Sequence, residues 1–100
     1  MRNAGLRTLL STMVSHGGKL PAWTLRLRGA RQDLVRATRT KNRREALRAL
    51  EDVWFWVGRL TGEGLAASRD PRFVDQATRA LREVQIAQRA AGLARAMLEG

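Results

Sequence analysis

The sequence predicts an all-α fold, a compact antiparallel bundle of about four helices ending in a long C-terminal helix. Three observations lead there. Apolar residues recur at three- and four-residue spacing through every long segment. Helix start signals punctuate those segments: Asn42 stands three residues before Glu45, and Asp70 directly before Pro71. No strand pattern survives, because the β-forming residues Val53 to Val57 sit inside a longer helical pattern with caps of its own. With 100 residues the chain has material for one domain and one core. Its short connections favour antiparallel neighbours.

The first predicted helix covers residues 3–15. Asn3 caps it, and Leu6, Leu9, Leu10, Met13 and Val14 make its apolar face, with Thr8, Ser11 and Ser15 opposite. Arg7 is the one cation of its polar face, so it reads as a docking helix rather than one lying on a membrane. His16-Gly17-Gly18-Lys19 breaks it, and Pro21 begins the second helix, 21–39. Trp23, Leu27, Ala30, Leu34 and Ala37 or Thr38 form that helix's seam, and Gly29 either lets a neighbour approach closely or weakens the helix by roughly 1 kcal/mol. Arg28, Gln32, Arg36 and Arg39 point away from the seam. A basic turn over residues 38–42 follows, since the second seam does not continue into the next apolar face.

The third helix, 43–61, is the expected centre of the fold. Ala46, Leu47, Leu50, Val53, Trp54, Val57 and Thr61 form its broad apolar face, and Gly62 stands where a left-handed cap would end it. Phe55 falls on the opposite side among Arg44, Arg48 and Arg59, and Asp52 is placed to pair with Arg48 or Arg59. The fourth helix, 71–98, carries a main stripe from Phe73 through Ala77, Ala80, Leu81, Val84, Ala87, Ala91 and Ala94 to Leu98. A second stripe, Ile86, Ala90, Leu93 and Met97, appears in its latter half. Upstream on that side Asp75, Arg79 and Glu83 read as solvated ion pairs.

Charge is the strongest functional signal. The net charge is +10, and 17 of the 19 basic residues are Arg. Residues 1–50 hold twelve Lys or Arg against two acids, Asp33 and Glu45, while residues 51–100 hold seven Arg against seven acids. Uniform preference for Arg accounts for the total but not for this asymmetry. An excess confined to one half favours an acidic partner there: DNA or RNA, an acidic protein surface or an anionic membrane. The expected nucleic-acid-binding residues are Arg28, Arg36, Arg39, Lys41, Arg43, Arg44, Arg48 and Arg59, with Phe55 among them to stack a base. The apolar third helix does not suit a base-reading helix-turn-helix, so backbone contacts should dominate.

The second expectation is a protein-interaction or assembly module, with Ile86, Leu93 and Met97 as the surface for a second copy or another partner. Enzymatic chemistry finds no carrier. His16 is alone, Glu51 and Asp52 point in different directions on a helix, and the glycines lack a phosphate-loop context. Cysteine is absent, and no cofactor or metal site is expected. No apolar run reaches the length of a membrane span, and a cytoplasmic location is the default expectation.

Overall fold

Two short turns fold the chain back on itself twice. The computed structural model describes residues 18–99, which form α1 (Leu20–Arg39), α2 (Arg43–Ala67) and α3 (Val74–Glu99). Each helix packs on both others, giving an up-down-up bundle with one core along its axis. Arg31 of α1 meets Glu83 of α3, and Arg43 at the start of α2 meets Leu98 at the end of α3. Hence α1 and α3 run parallel, with α2 antiparallel to both. The helix predicted over 3–15 lies outside the described residues, so three of the four expected helices are seen. No described helix is long and apolar enough to cross a membrane.

The core is made of small side chains. Leu20, Leu27, Leu34, Val53 and Leu60 are its largest fully buried members. From α3 come Val84 and the alanines Ala77, Ala80, Ala87, Ala91 and Ala94. Alanine costs little side-chain entropy in a helix and lets two backbones approach closely. Burying each leucine contributes about 1.5–3 kcal/mol. None of the five aromatic residues is fully buried: Trp23, Trp56 and Phe73 pack half-buried on the core, and Trp54 and Phe55 are exposed.

The turn between α1 and α2 is built as its residues demand. Thr40 N–H donates to the Arg36 carbonyl at 3.0 Å, and Asn42 N–H donates back to the Ala37 carbonyl at 2.9 Å. This six-residue closure requires a left-handed residue, and Lys41 supplies it at φ 56°. Asn42 then caps α2, its side-chain oxygen accepting from Glu45 N–H at 3.2 Å.

Several expectations need correction. The expected end of the third helix at Thr61 is too early, because α2 runs through Gly62 to Ala67. No described glycine has a positive φ, so Gly62 is not a left-handed cap. Gly64 explains the continuation: it is buried, and a Cβ there would lie 3.1 Å from Leu81 Cδ2. Its missing side chain admits α3 at that level, and Ala67 is buried one turn later. The apolar face of α2 is also rotated from the one expected. Ala46, Ala49, Val53, Val57, Leu60, Gly64 and Ala67 are buried, whereas Leu47 and Trp54 are exposed. The large side chains Leu47 and Trp54 drew the expectation to one flank of the true seam, which sets Ala49, Gly64 and Ala67 beside Val53, Val57 and Leu60.

The fourth predicted helix begins at Val74 rather than Pro71. Asp70 accepts from Arg72 N–H, and Phe73 N–H donates to the Asp70 carbonyl, so a tight turn occupies residues 70–73 before the first helical bond. Gly29 admits no close neighbour, with nothing within 4 Å of a Cβ placed there.

Candidate functional site

The residues expected to bind nucleic acid separate into three groups once the helices are packed. The first surrounds the α1–α2 turn, at one end of the bundle. Arg36 and Arg39 leave the last turn of α1, Lys41 lies on the turn, and Arg43, Arg44 and Arg48 leave the first turns of α2. All six are exposed. No described carboxylate lies within ion-pair distance of Arg39, Lys41, Arg44 or Arg48, and Arg36 stands 3.8 Å from Asp33. Arg43 is committed in part, donating through Nη1 to the Leu98 carbonyl at 2.9 Å. There it closes the C-terminal end of α3, where free carbonyls and the helix dipole favour a cation.

The cations are not evenly free of acid. Arg36 and Arg48 share the groove between α1 and α2 with Asp33, Glu45 and Asp52. The outward positions Arg39, Lys41 and Arg44 therefore present the unopposed positive charge, with Arg36 and Arg48 beside them.

The second group is aromatic. Phe55 is 57% exposed and meets Trp56 edge-on at 5.0 Å between ring centres. Trp56 in turn lies 6.5 Å from Trp23 of α1. The Arg59 guanidinium sits 4.8 Å over the Trp23 ring, a cation–π contact between helices. The expected salt link from Asp52 to Arg48 or Arg59 is not formed, since Arg59 is turned toward Trp23. Phe55 follows Arg44 by eleven residues of helix, about 16 Å along its axis, so this group stands apart from the basic turn.

The third group is Arg28 alone, on the side of α1 that faces α3. Its Nε lies 3.7 Å from Glu83, while Arg31 Nε donates to Glu83 at 2.7 Å. Glu83 is only 4% exposed, which corrects its reading as half of a solvated pair with Arg79. A buried carboxylate must be paired, and these two arginines satisfy it. The signal was present in the sequence: Glu83 follows Ala80 by three and precedes Ala87 by four, at the edge of the buried stripe.

The expected partner residues lie together. Ile86, Leu93 and Met97 are 43%, 68% and 61% exposed, on the flank of α3 that looks toward α1. Ile86 lines a groove of about 410 Å³ with Leu25 and Arg28 of α1, and Met97 borders Thr38 and Lys41 at the basic end. A second apolar flank joins Trp54 to Leu47 and Leu65, which were not expected at the surface: the three follow Arg43 by helical steps on the side of α2 away from α1, and all are exposed.

One titrating pair is set by geometry. Three hydrogen bonds from Arg72, two from its guanidinium and one from its backbone N–H, hold the Asp70 carboxyl below its ordinary range, and the same contact raises Arg72. This pair shapes the α2–α3 turn, at the opposite end from the basic cluster. Among the described residues no group of three or more His, Cys, Asp or Glu could hold a metal ion; His16 lies outside them. No family model, curated protein or solved structure matches this chain.

Proposed function

We propose that this chain is a non-enzymatic binding subunit that grips nucleic-acid backbone with the basic end of the α1–α2 hairpin. The observation that carries the reading is the unopposed exposure of Arg39, Lys41 and Arg44 around one rigidly capped turn, with Arg36 and Arg48 on its flanks. Phosphates need cations in register on a firm surface, and the turn's backbone bonds and Asn42 cap supply that firmness. Arg28 is engaged by Glu83 and contributes to the field only at a distance. Phe55 and Arg59 serve a long strand that reaches past the turn, where an exposed ring can stack a base.

The test compares two triple substitutions of equal charge. Replacing Arg39, Lys41 and Arg44 by Ala should weaken binding of a labelled DNA or RNA duplex by about tenfold or more. Replacing Arg82, Arg89 and Arg95 of α3 should weaken it much less. Equal losses would reduce the interaction to net charge and overturn the assignment, as would absence of binding at low ionic strength.

A separate observation favours a second reading, a protein-docking module. Alanines take many of the core positions while Trp54, Leu65, Leu93 and Met97 remain outside, more apolar surface than core packing alone leaves exposed. Light scattering and peptide binding test it. A chain that forms no complex through either apolar flank, and is indifferent to Leu93→Glu, removes it.

A further inference from the structure

Large aliphatic groups and arginines are interleaved along the side of the bundle where α1 and α3 meet. Ile86, Ala90, Leu93 and Met97 follow one another at steps of four, three and four, so they form a continuous stripe down the latter half of α3. Leu25 lies across the groove from Ile86 and is itself exposed. Arg82 and Arg89 bracket Ile86 on α3 by four and three residues, Arg79 stands a further turn back, and Arg28 faces them from α1. The acid nearest the middle of this surface, Glu83, is buried and already neutralised by Arg31 and Arg28.

We infer that the α1–α3 groove docks an acidic amphipathic helix of a partner protein, its aliphatic face on Ile86, Leu93 and Met97 and its carboxylates on Arg79, Arg82 and Arg89. This rests on the docking-module reading and names the occupant. An apolar stripe at helical spacing beside a groove is the receiving half of helix-in-groove recognition. The charge of the rim selects among occupants. A second copy would set arginine against arginine, because the other exposed acids of α3, Asp75 and Glu99, stand at its two ends. The chain's own residues 1–17 carry Arg2 and Arg7 and no acid, so they match the groove poorly in charge. Nucleic acid offers no aliphatic face, and no aromatic ring that could stack a base lines the groove.

The test is an unbiased selection. A display library of 20-residue helical peptides, randomised at every surface position, is selected on the full chain and counter-selected on its Leu93→Glu variant. Circular dichroism and a thermal melt should show that this variant keeps its fold, as Leu93 is 68% exposed. The expected winners place Leu, Ile or Met at i, i+3 or i+4, and i+7, flanked by Asp and Glu. Winners should bind at least about tenfold more weakly to Leu93→Glu and to Arg89→Glu. Neutral or basic winners, or winners indifferent to Arg89→Glu, overturn the inference. So does an empty selection. If the same face instead binds a second copy in a manner lost with Leu93→Glu, the docking module stands and the acidic helix falls; if it binds anionic vesicles or RNA in that manner, both fall. If nothing binds the face, both fall.

Discussion

Lys41 adopts a backbone conformation that most side chains avoid, and the turn that displays the basic cluster depends on it. A left-handed non-glycine residue costs roughly 1 kcal/mol. Lys41→Gly should therefore raise the stability of the fold by about 0.5–1 kcal/mol, read as an increase in thermal midpoint. No change, or a decrease, would mean that the lysine side chain stabilises the turn by more than its strain. Glu83 is the opposite case, a polar residue whose native partners are indispensable. Glu83→Gln leaves Arg31 without a counter-charge in a half-buried position, and unfolding in urea should show a loss of about 1–3 kcal/mol. At Asp70 the folded-state pKa is depressed by Arg72, so the stabilisation is present above the ordinary aspartate range and is lost as pH falls through the lowered value. The thermal midpoint of Asp70→Asn should lie below that of the unsubstituted chain at neutral pH. The gap should close on acidification below the ordinary aspartate range; a gap independent of pH contradicts the pairing.

At the scale of single helices, the glycines of α2 separate propensity from packing. Gly62 is exposed with nothing within 4 Å of an added Cβ, whereas Gly64 faces Leu81 at 3.1 Å. Gly62→Ala should stabilise the chain by about 0.5–1 kcal/mol through helix propensity alone. Gly64→Ala should forfeit that gain, because Leu81 must shift to admit a methyl group. Equal gains at the two positions, measured by chemical denaturation, would show that Leu81 gives way freely.

These helices also mark what could be read before the fold was known. Helical period identified α1, α2 and α3 because a buried stripe has to repeat at three and four whatever it packs against. The Asn42 cap was legible because it acts within its own turn. The end of α2 was not, since Gly64 is tolerated in mid-helix only when another helix occupies the space its side chain would take. The inward face of α2 was misjudged for a related reason: Leu47 and Trp54 look like core residues, and Ala49 and Gly64 do not. For the candidate site, the charge asymmetry could be counted directly. The assignment of each arginine could not, because Arg28, Arg43 and Arg59 are redirected by Glu83, the Leu98 carbonyl and Trp23, all distant in sequence.

Over the whole molecule, the three grooves of the bundle differ in chemistry. The α1–α2 side mixes arginines with Asp33, Glu45 and Asp52. The α1–α3 side combines aliphatic groups with an arginine rim. The outer flank of α2 beside α3 carries Leu47, Trp54 and Leu65. An alanine-rich core held by a few leucines and valines supports all three, and further large side chains remain at the surface. In the proposed reading, charge on the hairpin end and apolar surface on the sides act together, in a subunit that holds a polyanion while docked on a protein.

The salt dependence of duplex binding tests this most directly, followed by fluorescence anisotropy from low to moderate ionic strength. If five cations of the hairpin end meet phosphates, log K should fall against log salt with a slope near −4 to −5 for duplex DNA. Removing Arg39, Lys41 and Arg44 together should reduce the slope by about 3. A slope near zero for the unsubstituted chain, or one that the triple substitution leaves unchanged, would contradict the account.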